Sequence, residues 1–474
     1  MKYPRNIRYF IGILLIAHLF ACAEIQSPAQ PSAHPATREP APALVPGTQA
    51  RMNTAGFWIG QHPDPDRIVM TPAQIAAMNV QTMRTESSLE DIVNFDASLS
   101  GLKLKAEILH SLKWTRYGGF FLDTGRKPDA AWWDRLEKNL NLDAITSEVS
   151  VRFGMISALC DQRALPLTEG LYRENLNLNF DRLQYNTLDI ALPVAILHES
   201  RDGQWFYVAS TSTRGWVRSA YVGLCSREAM RSYSMVSRIA VITSAKADIF
   251  TDENLRIYHG RVPMGAKLPV LGPNDSFKVR VAVPRRNPDG TGTMMSAYVL
   301  TRDLHIGFLP YTARTIIDQA FKLLHTPYGW GGQFGEQDCS RYLQQIFSCV
   351  GLILPRNSTQ QSHIGRPIYK NDKKGMNAEK RTVLKELAIP ALTLLRPSGH
   401  IMLFLGWVDD TPYVIHSLWG YNHGKDTMIV VNRIAVTRID LGDGPSGSYL
   451  DRINTMRVLD GPATFKEKSL RRSR

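Results

Sequence analysis

The chain has 474 residues, of which 44% are hydrophobic and 21% charged, an ordinary globular balance with material for about three or four folding units. A mean hydropathy of −0.19 excludes a polytopic membrane protein. Lys and Arg number 56 against 43 Asp and Glu, a formal net charge of +13, which favours an acidic partner such as nucleic acid, an anionic envelope polymer or a lipid surface.

The first residues narrow that choice. Lys2, Arg5 and Arg8 precede an apolar run that ends at Ala21. The run is shorter than the ~20 apolar residues a membrane span needs, so 1–21 reads as a signal peptide. It closes on Leu19-Phe20-Ala21-Cys22, which resembles a bacterial lipoprotein box. That resemblance implies lipidation of Cys22 and a membrane anchor; plain secretion is the alternative. Export, with no aromatic-basic recognition motif, removes nucleic acid from the partners. Residues 22–55 are rich in Pro and Ala, a composition that packs no core and extends as a tether. Of the other cysteines, Cys160 and Cys225 bracket a β segment, which they either close as a disulfide or leave as two inert thiols.

Residues 56–155 read as a mostly helical N-terminal region, with amphipathic stretches after Thr71-Pro72, from Leu102 to Leu112 and from Trp132 to Leu142. From 156 to 228 short strands alternate with turns: Pro193 to Leu197, the turn Arg201-Asp202-Gly203, Trp205 to Val208, and Gly215-Trp216-Val217. This grain predicts a small β barrel. A second of the same kind spans 237–306, with strict alternation from Phe277 to Val283, the turn Asp289-Gly290, and Ala297-Tyr298-Val299. From 310 to 462 the order becomes α then β, so the fold class is multidomain α+β. Residues 463–474 form a basic, solvated tail.

The chemistry concentrates in the last third. Thr312 is an N-cap for a helix carrying Ile316, Ile317, Ala320, Phe321 and Leu324, and Pro327 ends it. The loop Tyr328-Gly329-Trp330-Gly331-Gly332 permits close backbone approach. Asp338 then caps a second helix through Val350, placing Cys339 at the first helical position, where free N–H groups and the helix dipole favour a thiolate. Such a nucleophile requires a base, and His400, opening the apolar strand Ile401 to Leu405, is the leading candidate. If the following hairpin centres on Asp409, residue 402 faces 416 and His400 becomes the same-face diagonal neighbour of His416, which can then orient it. A turn shifted by half a pair would put the two on opposite faces. Cys349 reads as packing, and His325, His363 and His423 as surface or loop.

The runs Pro327 to Gly332, Asp338-Cys339-Ser340, Leu354-Pro355-Arg356-Asn357-Ser358, Gly399-His400-Ile401 and His416 to Gly420 resemble the NlpC-type papain-like cysteine peptidases that cut cell-wall stem peptides. The resemblance implies a papain-like α+β catalytic domain with Cys339 as nucleophile, His400 as base and His416 as the orienting residue. It also implies Tyr328 beside the nucleophile, and Trp330, Asp338 and Ser340 in the substrate pocket. The two β modules look like paired bacterial Src-homology-type barrels, and the helical region like a stabilising domain. Many relatives have glycine where Arg341 stands, which leaves local pocket shape and charge open. The implied activity is endopeptidase action on peptidoglycan stem peptides at the γ-D-glutamyl-diaminopimelate bond, at the cell envelope, without metal or cofactor. A non-catalytic wall-binding protein and a lipid acyltransferase using the same Cys-His pair are the other readings.

Overall fold

The structure, a computed structural model, describes residues 43–461 apart from 175 and 274. The signal peptide, most of the tether, Cys22 and the basic tail lie outside the described residues.

The predicted N-terminal helices form where the caps require. Thr71 and Gln74 make a reciprocal capping box at the start of a helix over Pro72–Thr85, with Pro at its first turn. Ser100 caps Gly101–Arg116 and Asp129 caps Ala130–Asn139. These helices do not share one core. Met52, Trp58, Met70, Ile75 and Met78 pack with Ile316, Tyr342, Leu343 and Phe347 of the C-terminal part. Ile92, Leu104, Ile108, Leu112, Trp133 and Leu136 instead pack with Phe153, Trp205 and Trp216 of the first β module. Apolar residues at helical spacing fix that a helix buries a face, not which core receives it.

The strands of the first module form one seven-stranded antiparallel sheet. It does not close into the expected barrel: one edge is Gln184–Leu188 and the other Val222–Cys225, and the two are not bonded to each other. The first edge is covered from elsewhere. Gln184 Nε2 donates to the carbonyl of Gly331 at 3.3 Å and Thr187 Oγ1 to that of Gly332 at 2.7 Å. A polar edge that finds partners in another segment has no need of closure. The second module divides into a three-stranded and a four-stranded sheet around Ala240, Ile242, Ile249, Val262, Val281 and Val299, and neither closes. Cys160 and Cys225 are separate free thiols, so the disulfide alternative is set aside.

In the C-terminal part, Thr312 caps a helix over Ala313–Lys322, and Asp338 caps α1, Cys339–Ser348. Six antiparallel strands lie in the order Arg366–Lys370, Ile453–Val458, Thr393–Pro397, Met402–Val408, Thr411–His423, Thr427–Arg438. One face carries Leu394, Leu403, Ile415 and Val436 into the core of α1. The other buries Leu395, Met402, Phe404 and Val414 with Leu384. Among the described residues no helix is long and apolar enough to cross a membrane.

Leu343 is wholly buried in the core that seats α1. Leu343→Ala should destabilise the protein by about 2–5 kcal/mol, read as a lowered thermal midpoint.

Candidate active site

Asp338 fixes the start of α1. Its Oδ1 accepts from the N–H of Arg341 at 2.9 Å, from Ser340 Oγ at 3.1 Å and from Arg356 at 3.0 Å. Its Oδ2 accepts from Arg356 at 2.6 Å and from the N–H of Gly331 at 3.2 Å. Burial alone would raise this carboxyl, but Arg356 and these hydrogen bonds hold it below its ordinary value. Asp338 and Ser340, expected in the substrate pocket, are thus engaged with Arg356, which also donates to Asn186 of the first module at 2.7 Å. Sequence reasoning missed this arginine as a site residue, although it stands inside the quoted Leu354 to Ser358 run.

Cys339 follows the cap, buried. The backbone N–H groups of Ser340 and of Ile401, the residue after His400, favour the charged form of its thiol. His400 Nε2 lies 2.6 Å from His416 Nδ1, and His416 Nε2 lies 3.0 Å from Thr437 Oγ1. The two imidazoles are therefore paired, and the backbone next to His400 acts on the Cys339 thiol. The ring of Tyr449, not anticipated, stands 5.4 Å from both histidine rings.

The pairing depends on a bulge. Val408 pairs with Thr411 across a two-residue turn, Asp409-Asp410, and Gly406 pairs with Tyr413. Continued unbroken, that register would oppose 403 to 416 and put His400 on the wrong face. Between Phe404 and Gly406 the register shifts by one, so Phe404 meets Val414 and Leu403 meets Ile415; 402 then faces 416. Gly406, at φ +129, holds the bulge. The turn is half a pair away from the sequence-based expectation, and the bulge restores the expected alignment.

The resting charge differs from the expected thiolate. Burial first, then the Asp338 carboxylate, pushes the Cys339 thiol up to about 12, against the Ile401 and Ser340 N–H groups and the Arg356 charge. Burial, then the charge of Arg452, takes His400 down to about 3. Burial and His400 hold His416 well below its ordinary value. The helix start does favour negative charge, but here its capping residue is itself an anion in a dry environment. These directions favour a neutral thiol and neutral imidazoles at rest.

Aromatic side chains wall the approach. Tyr328, half-buried, stands close enough to Cys339 for the two groups to oppose each other's ionisation. Phe180, from the first module, stands 6.1 Å from Tyr328, 5.2 Å from Trp330 and 5.0 Å from Trp419. Trp330 donates its indole N–H to the Asp181 carbonyl at 2.9 Å. Gly331 and Gly332, at φ +59 and +86, let the loop lie against the module: a Cβ would meet Gln184 at 2.7 Å and Thr187 at 2.6 Å. Arg341 is buried, donating to the Thr187 carbonyl at 3.0 Å and to Asp189 at 2.7 Å. The other histidines lie apart from the pair: His363 binds Glu86, His423 binds Asp443, and His325 bonds through its backbone to Ile434.

A buried cysteine at a helix start, a histidine just before a strand and a second imidazole paired with it define the layout of a cysteine peptidase. Residues 325–416 match the NlpC/P60 family, and residues 171–218 match an SH3 domain of SH3b1 type; the chain carries a catalytic domain of the first kind with a module of the second. The structure is similar to that of an NlpC/P60 endopeptidase from Photobacterium damselae subsp. piscicida, at 18% identity and TM-score 0.74 over 89% of this chain and 100% of that one. An NlpC/P60 family protein from Bacillus cereus ATCC 10987 aligns at 14% identity and TM-score 0.47, covering 64% of this chain and 98% of that one. No protein of curated function matches the chain.

Gly406→Val strains the bulge that aligns the histidines. Turnover should fall by about 10²-fold, the usual worth of a general base, with circular dichroism unchanged. The lowered pKa values of His400 and His416 also set an acid limit. Their pKa values are depressed on folding, so their stabilisation is complete above the ordinary value of 6.5 and is lost as pH falls from there toward about 3. His416→Gln, which cannot take the proton, should show a smaller drop in thermal midpoint between pH 7 and pH 4 than the native protein.

Proposed function

We propose that the protein is an endopeptidase acting on peptidoglycan stem peptides through Cys339 as nucleophile, His400 as base and acid, and His416 as the orienting residue. The observation that carries this is the 2.6 Å contact between His400 and His416, taken together with a buried cysteine at the capped start of α1. A substrate amide entering the site displaces water from a neutral pair. As Sγ attacks the carbonyl carbon, its proton passes to His400, and the imidazolium then protonates the leaving amine. N–H groups at the start of α1 can stabilise the oxyanion. His416 holds the imidazole through Nε2, and Thr437 fixes His416 in turn.

The γ-D-glutamyl-diaminopimelate bond is the one we propose is cut. The aromatic cluster of Tyr328, Trp330 and Trp419, with Phe180 of the first module against it, supports a peptide binding there. Further, we take 56–155 as the stabilising region, 156–228 and 237–306 as the two β modules and 310–462 as the catalytic domain. The excess of 13 positive charges suits an anionic wall polymer, and an anchor at Cys22 would hold the enzyme at the envelope.

Cys339→Ala should abolish release of diaminopimelate-containing product from purified muropeptides, followed by mass spectrometry. His400→Ala should lower turnover by about 10²–10⁴-fold, and His416→Ala by less. Cleavage surviving in Cys339→Ala would reject the mechanism. Hydrolysis of phospholipid in place of muropeptide would favour the acyl-transfer reading, and binding without turnover the wall-binding one.

A further inference from the structure

The cations around the site are unequal in their partners. Arg356 is bonded to Asp338, Arg341 to Asp189 and Arg163 to Asp181. Arg452 makes no ion pair with any described carboxylate. Its Nε donates to the Ser448 carbonyl at 3.2 Å, and its guanidinium carbon lies 4.6 Å from the centre of the Tyr449 ring. That ring is the one that stands 5.4 Å from His400 and His416. The side chain is partly exposed.

Its support is rigid. Residues Tyr449–Arg452 form a short helix opened by a reciprocal Ser448 and Asp451 capping box. Lys380, wholly buried, donates through Nζ to the carbonyls of Leu450 and Asp451 at 2.8 Å each. A positive charge is thus held in place beside the base without a counter-charge. For the base alone this arrangement is unfavourable, because a nearby cation opposes formation of the imidazolium. An uncharged side chain could cover Tyr449 equally well.

We propose that Arg452 is a specificity residue that pairs with a carboxylate carried by the leaving-group side of the substrate; the proposal rests on the peptidase reading above. The side follows from the chemistry. His400 must deliver its proton to the leaving nitrogen, so a cation grouped with the imidazole through Tyr449 stands toward the amine half. The acyl half is bonded to Cys339. A guanidinium binds a carboxylate through two parallel hydrogen bonds, a geometry an ammonium cannot reproduce. The charged groups that act on His400 are Arg452 and, with the opposite sign, Asp338. A carboxylate on Arg452 leaves the favourable influence of Asp338 unopposed during proton transfer. Substrate recognition and activation of the base are then one event.

The test uses the full chain and two synthetic tripeptides, L-alanyl-γ-D-glutamyl-diaminopimelate with free carboxylates and the same peptide with both diaminopimelate carboxylates amidated. The native enzyme should prefer the free acid in kcat/KM by about 10- to 100-fold, the usual worth of a charged hydrogen-bonded pair. In Arg452→Gln that preference should collapse toward unity, and in Arg452→Lys it should be partly restored. A purely structural role would lower both substrates together and leave the ratio unchanged, which overturns the proposal. So does a native enzyme that cuts the two peptides equally while Cys339→Ala cuts neither, a result that leaves the peptidase reading standing. If the native enzyme cuts neither peptide, the peptidase reading fails and this proposal falls with it.

Discussion

The Asp338–Arg356 pair is the constraint from which the site is built. One buried carboxylate caps α1, holds the Gly331 backbone, orients Ser340 and meets both terminal nitrogens of Arg356. Arg356 in turn reaches Asn186 of the first module. A carboxylate left alone in such a place would be strongly destabilising, and removing one member of a buried pair commonly costs about 3–5 kcal/mol. Helix start, glycine loop and β module are therefore set by a single charge compensation. The position of Cys339 is its by-product.

The same carboxylate explains why the site rests neutral. It sits beside the sulfur and opposes a thiolate, while it favours a proton on His400. The directions of these two effects describe a pair in which charge separation waits for the substrate. Keeping the thiol protonated until then also limits its reaction with oxidants, which attack the thiolate. On the peptidase reading, that matters for an enzyme working outside the cytoplasm.

Much of the candidate site's geometry was legible in the sequence because it is local or paired. An Asp before a cysteine at the head of an amphipathic stretch reads as a cap and a nucleophile, and α1 begins there. Two histidines separated by an even count across a hairpin read as neighbours if the register holds. What stayed hidden depends on distant packing. Nothing in Gln184 to Leu188 tells that its edge will be met by Gly331 and Gly332, so a closed barrel was the natural expectation. The helices before residue 140 show their apolar faces without revealing that they belong to two cores. Tyr449 and Arg452 lie far along the chain in a four-residue helix with no motif to mark it.

The hairpin between the histidines carries an evolutionary consequence. Side chains alternate faces residue by residue, and the bulge at Gly406 already consumes the one odd step available. Insertions confined to the turn at 409–410 leave the strand pairs, and so both histidines, where they are, because the face of a side chain is set by pairing and not by loop length. A single residue gained or lost within the paired strands between His400 and His416 would move one imidazole to the opposite face unless the bulge were lost or another gained.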